Sequence, residues 1–123
     1  MHVTAAVALA IFLIAVGISH FLIPGYFRTL VPPWIGRAGV LVAAGGAAEI
    51  IVGTLILTPR GRVAGGWAAA ALITTYLTSP LDALYRARPD RPSLLERPAG
   101  AVARLLVNLF YIGWAVAVAL TAA

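Results

Sequence analysis

The chain has no cysteine, no lysine and little charge of either sign. Without cysteine it cannot form disulfides, run thiol redox chemistry, ligate an iron–sulfur cluster or hold zinc through thiolates. Its two histidines, His2 and His20, lie at opposite ends of one apolar stretch. Neither a metal site nor a haem held between them is therefore expected. Charged residues make up 11% of the chain, against about 25% in an ordinary soluble domain. So little charge cannot keep a soluble surface wet. Hydrophobic residues supply 62% of the 123 positions, and they fall into four long runs.

The net charge of +5 comes from arginine alone. These arginines sit in short segments between apolar runs, which reads as a membrane-orientation pattern rather than a nucleic-acid surface. The expected partner is the lipid bilayer, with no nucleic acid. Abundant Arg, Ala and Gly without Lys matches a GC-rich bacterial genome, so the expected location is the bacterial cytoplasmic (inner) membrane, multi-pass. The length suits one transmembrane domain over residues 1–123 and no separate soluble domain.

The spacing predicts helices over residues 3–23, 39–58, 63–79 and 101–120, each near the roughly 20 residues that cross a bilayer. Pro24-Gly25 ends the first run. That run is longer than the roughly 7–15 residues of a signal-peptide core, and no basic residue precedes it, so it reads as a retained span. Pro59-Arg60-Gly61-Arg62 makes a tight turn that forces the second and third spans antiparallel. Pro80 is expected to kink the third helix, which continues to about residue 88 before Pro89, Pro92 and Pro98 break the chain. The mixed aromatic, basic and proline segment from Tyr26 to Ile35 is too short to span. It reads as interfacial, anchored by Trp34. The expected fold class is thus all-α: an integral membrane four-helix bundle with a short interfacial segment between helices 1 and 2.

Arg60 and Arg62 lie on the face shared with both termini, while Arg28, Arg37, Arg86, Arg88, Arg91 and Arg97 lie on the other. The positive-inside rule places that second face in the cytoplasm and both termini outside.

The second run carries a lone carboxylate, Glu49, near its centre. A charged group at that depth costs roughly 3 kcal/mol on insertion scales and needs a partner or a purpose. Helical rise places His20, Tyr76 and Arg104 at roughly 5 Å from the arginine-rich face. Asn108, Glu49 and Tyr111 lie roughly 12–16 Å deep. Arg104, Asn108 and Tyr111 fall at i, i+4 and i+7 on one stripe. These six residues are the candidate ligand or proton site, drawn as one pocket with Glu49 at its floor. Gly45, Gly46 and Gly53 share the face of Glu49 and let a neighbouring helix approach it. Each member also has a structural reading. Glu49 can be inter-helix glue, Arg104 a snorkelling anchor, and the hydroxyls of Thr74–Ser79 caps for their own helix. Asp82 can pair with Arg86 at i+4 as a surface ion pair of little worth.

Three stretches resemble the DoxX family of small bacterial membrane proteins. The first is Gly17-Ile18-Ser19-His20-Phe21 with Pro24, Phe27 and Val31-Pro32-Pro33-Trp34. The second is Gly45-Gly46-Ala47-Ala48-Glu49-Ile50 with Gly53 and the Pro59–Arg62 turn. The third is Pro80 with Asp82 and Tyr85. The resemblance covers residues 17–85. It implies a four-helix membrane protein associated with oxidoreductases, with His20 and Glu49 as functional positions. It also implies cytoplasmic termini, the reverse of the arginine count, and the loop from Asp82 to Pro98 is more elaborate than the family usually shows.

Three functions compete on these grounds. The first is a non-redox membrane subunit or anchor of an oxidoreductase assembly, an accessory rather than a stand-alone enzyme. It would bind a quinone or lipid-like molecule, none of it covalently, or dock a soluble redox enzyme on the arginine-rich face. The second is a small proton-coupled exporter working as a homo-oligomer, with Glu49 trading a proton for a cation. The third is a structural assembly bundle whose glycines serve packing alone.

Overall fold

The computed structural model describes residues 2–122. Six α-helices follow one another, and no strand occurs among the described residues. Helix α1 covers His2–Leu22, α2 Pro24–Leu30, α3 Ala38–Leu57, α4 Arg62–Tyr76, α5 Thr78–Arg86 and α6 Pro98–Ala122. Single 3-10 turns fill Pro59–Gly61 and Leu94–Glu96. Three helices are long and apolar enough to cross a membrane: Val3–Leu22, Ala38–Leu57 and Pro98–Ala122. Large apolar side chains such as Ile11, Ile51, Leu106, Phe110 and Leu120 point outward. An exterior of that kind marks a membrane protein.

The expected interfacial segment holds a helix of its own. Pro24 starts α2, where its missing N–H leaves no bond unmade, and α2 buries no residue. The chain then turns into α3 through Gly36 and Arg37, both left-handed at φ 73° and 49°. Glycine accepts that conformation freely, whereas arginine does so at a cost of about 1–2 kcal/mol.

The turn after α3 is held by side chains. Thr58 Oγ1 accepts from the Gly61 N–H at 3.2 Å. Arg62 donates to the carbonyls of Ile56 at 3.0 Å and Leu57 at 3.2 Å. The last turn of α3 thereby gains partners for carbonyls that its own helix leaves unbonded.

The third expected span breaks earlier than its proline. Helix α4 stops at Tyr76 and α5 starts at Thr78, with Leu77 between them. Proline lacks the N–H that would bond the carbonyl four residues back, and its ring clashes with that carbonyl. For Pro80 the carbonyl is that of Tyr76, so the continuous ladder ends there. Pro80 sits instead in the first turn of α5, where proline is tolerated. Thr74 and Thr75 hydroxyls bond back to Ala70 and Ala71 carbonyls at 2.7 and 3.0 Å, and Thr78 bonds to Thr75.

Helix α3 packs between α1 and α4. Helix α6 packs against α4 and α5, with a lighter contact to α1. Glycines set the close approaches. A Cβ built on Gly17 would lie 2.7 Å from the Gly46 carbonyl oxygen, and one on Gly53 would lie 2.9 Å from that of Ala10. On α4, a Cβ at Gly66 would meet the backbone nitrogen of Ala119 at 2.8 Å. The apolar core of Leu9, Leu13, Ile56, Ala69, Ala115 and Val118 occupies the half of the bundle near the α3–α4 turn. The buried polar residues His20 and Glu49 lie in the other half.

Candidate functional site

Glu49 sits midway along α3, roughly 12–17 Å from either end by helical rise. It belongs to the buried stripe Val42, Gly46, Glu49, Gly53 and Ile56. That stripe repeats every three or four residues and so presents one face to α1. Gly17 and His20 on α1 match Gly46 and Glu49 on α3: each polar residue follows a glycine by three. The pairs interlock, because a Cβ on Gly46 would lie 2.7 Å from His20 Cβ and one on Gly17 3.2 Å from Glu49 Cβ. The two bare glycines let the helices close until the polar side chains share one enclosed space.

Within it, His20 Nδ1 stands 3.3 Å from Glu49 Oε2. Relative exposures are 8% for His20 and 4% for Glu49. The Nδ1 atom also lies 2.7 Å from the Val16 carbonyl. A carbonyl can only accept, so Nδ1 carries the hydrogen and spends it on Val16. Glu49 Oε2 is left buried with no hydrogen-bond partner among the described residues. The short distance is therefore a charge contact, available when the imidazole is protonated, and not a formed hydrogen bond. Phe27, projecting from α2, stacks on the imidazole with ring centroids 3.8 Å apart and planes 17° apart. His20 Nε2 bonds to no other described residue.

Tyr76 approaches the same region from α4. Its hydroxyl donates to the Gly45 carbonyl at 3.3 Å, one turn of α3 before Glu49. A Cβ on Gly45 would come within 2.9 Å of that hydroxyl oxygen. The three glycines thus divide their work: Gly46 and Gly53 seat α1, while Gly45 seats Tyr76.

The α6 stripe does not join this group. Arg104 donates to Ser79 Oγ on α5, and Ser79 donates to the Leu30 carbonyl at the end of α2. Asn108 spends its amide on the Arg104 carbonyl of its own helix at 2.8 Å. Tyr111 packs its ring against Phe12 of α1, 4.8 Å between centroids. The single pocket drawn from depth thus resolves into two places. His20, Glu49 and Tyr76 form one, and Arg104 belongs to another at the arginine-rich end. The physical reason is lateral order, since α3 has α1 and α4 as neighbours rather than α6.

Depth and polarity alone passed over Gly17, Phe27 and Val16. The repeated spacing Gly17 to His20 and Gly46 to Glu49 is the signal that points to the crossing. Nothing in sequence spacing joins Trp34 to Asp82, yet the indole donates to that carboxylate at 2.7 Å. The Asp82–Arg86 pair at i+4 is present at 3.2 Å.

A cavity of about 510 Å³ opens between α2, α5, the following loop and the start of α6. One of about 320 Å³ lies near the α3–α4 turn. Neither is lined by Glu49 or His20. No match was found among curated proteins or among solved structures. A family model does match, over residues 9–119, from the first half of α1 to the last turn of α6 and across every residue of the site. The chain belongs to that family, described as a domain of unknown function (DUF8561).

Proposed function

We propose that this chain is a DoxX-like four-helix integral membrane protein of the bacterial inner membrane, in which Glu49 and His20 hold and exchange a proton for a membrane-dissolved ligand. Helices α4 and α5 together serve as the fourth crossing. Alone, α4 is roughly 22 Å long, short of the roughly 30 Å hydrocarbon thickness. The protein acts as a non-redox subunit or anchor of an oxidoreductase assembly. Its sequence offers no electron-carrying ligand set, so oxidation and reduction belong to the partner enzyme.

One observation carries the proton-site reading: Glu49 Oε2 is buried without a hydrogen bond, 3.3 Å from His20 Nδ1. A buried carboxyl in that state needs a proton, a charged neighbour or a ligand group. The pair can hold one proton, either on the Glu49 carboxyl beside a neutral imidazole or on His20 Nε2 beside the carboxylate, while Nδ1 keeps its own hydrogen on Val16. With Nδ1 committed to Val16, Nε2 of the neutral ring is an acceptor. A hydroxyl or carbonyl head on an apolar body, as in a quinone or a lipid-like molecule, suits this set beside the Phe27 ring. Such a head takes or gives a proton when its carrier is reduced or oxidised. The packing does not favour the exporter alternative, in which Glu49 would meet cationic substrates between two copies, since Glu49 turns to α1 of its own chain.

The test is native mass spectrometry of protein gently extracted from its own membrane, with activity of any co-purifying enzyme. Wild type is expected to carry a quinone or lipid-like molecule that Glu49→Gln and His20→Ala lose while remaining folded. Unchanged retention and unchanged partner activity in both variants would sink the proposal. It would leave the glycine-packed structural bundle in its place.

A further inference from the structure

The second polar centre is independent of the Glu49–His20 reading. The cavity of about 510 Å³ at the arginine-rich end has an apolar wall of Val31, Pro32 and Pro33, and Arg86, Arg91 and Arg104 line it together with the carboxylates Asp82 and Glu96. The charges of these arginines are unequally answered. Arg86 lies 3.2 Å from Asp82, a carboxylate that also accepts the Trp34 indole. Arg91 stands 3.9 Å from Glu96, too far for a hydrogen bond. Arg104 has no carboxylate partner among the described residues. It is half-buried, and of the five N–H donors of a guanidinium one goes to Ser79 Oγ. The others meet no acceptor among the described residues.

That Ser79 bond is a fixture rather than a neutraliser. Ser79 gives its own hydrogen to the Leu30 carbonyl, so its oxygen can only accept from Arg104. The relay runs from α2 through α5 to α6 and holds the guanidinium in place on three elements. A half-buried cation fixed in this way, in the lining of a cavity and with unused donors, has no counter-anion among the described residues. Planar guanidinium donors match the oxygens of a phosphate group in pairs. The apolar wall at the membrane boundary suits the glycerol and upper chain of a phospholipid.

We propose that this cavity binds a phosphate group, with Arg104 as its principal ligand and Arg86 and Arg91 completing the clamp. The group comes either from an anionic lipid head or from a free phosphate.

The full chain in detergent, titrated with dioleoyl-phosphatidylglycerol or with phosphate-free dioleoylglycerol and read by native mass spectrometry, tests this. Inorganic phosphate is added as competitor. Wild type is expected to prefer phosphatidylglycerol by about tenfold or more, the factor that loss of one charge-assisted bond brings. Arg104→Gln should remove the preference, and Arg88→Gln should keep it, since Arg88 is exposed and outside the cavity lining. If inorganic phosphate displaces the lipid at millimolar concentration, the site takes free phosphate; if it does not, the site is a lipid-head site. Should Arg104→Gln fail to fold, the double variant Arg86→Gln/Arg91→Gln decides, with a several-fold loss expected. Equal affinity for the two lipids with no phosphate binding would overturn the proposal. So would full retention of the preference in Arg104→Gln, or in the double variant.

Discussion

Replacing Gly46 by alanine places one methyl group where α1 and α3 cross. That carbon would lie 2.7 Å from His20 Cβ, 2.9 Å from the Gly17 carbonyl oxygen and 2.9 Å from Phe21 Cε2. Two of these three are backbone or Cβ atoms that no rotamer change can move. Carbon atoms pack at about 3.5–4.0 Å, so the helices must separate by roughly 1 Å. Overpacking of this kind costs about 1–3 kcal/mol. The same separation carries His20 Nδ1 from 3.3 Å to more than 4 Å from Glu49, so stability and the polar pair are lost together. Gly17→Ala should behave alike, because its Cβ would meet the Gly46 oxygen at 2.7 Å and Ile50 Cγ1 at 2.8 Å. The double variant should cost less than the sum, since either change alone opens the crossing that both need. Gly113→Ala is the control on α6, with nothing within 4 Å of its added carbon. Chemical denaturation in mixed micelles measures all four. If Gly46→Ala proves as stable as Gly113→Ala, the close crossing of α1 and α3 is wrong, and with it the enclosure of Glu49.

Other perturbations probe other parts of the fold. Pro80→Ala restores an N–H able to bond the Tyr76 carbonyl, and should join α4 and α5 into one straighter helix. Spin labels at Ala64 and Ala87 would then report a longer, narrower distance distribution, and an unchanged one would refute this account of the break. Arg62→Met removes the donors to the Ile56 and Leu57 carbonyls. It should cost about 1–2 kcal/mol in the same denaturation assay, whereas exposed Arg60→Met should cost almost nothing. Trp34→Phe deletes the indole donor to Asp82 and should loosen the segment after α2. Backbone hydrogen exchange is expected to rise about tenfold there, without change in the α1–α3 crossing.

How much of this was legible beforehand differs from element to element. Hydropathy located the long apolar helices, and proline and glycine chemistry located the end of α1 before Pro24 and the turn after Leu57. Proline chemistry predicts the break before α5 at Pro80 itself. It falls at Leu77 because proline disrupts the carbonyl four residues behind it rather than its own position. Glu49 stood out as the lone carboxylate of an apolar run, but its neighbours did not follow from depth. His20 at the helix end and Asn108 and Tyr111 at mid-depth were all reasonable companions by height alone. The glycine–polar spacing on α1 and α3 singles out His20, yet that spacing gains meaning only once those two helices are known to cross.

The sequence by itself therefore determined what each segment is: apolar helices, a basic end and a carboxylate within a span. These follow from local composition and from a helical rise of about 1.5 Å per residue. The tertiary structure alone decided what meets what. Setting α3 between α1 and α4 gave Glu49 its histidine and left Arg104 to Ser79 and a separate cavity. Lateral order in a helical bundle is set by side-chain fit summed over several helix faces, and no single segment of the chain records it.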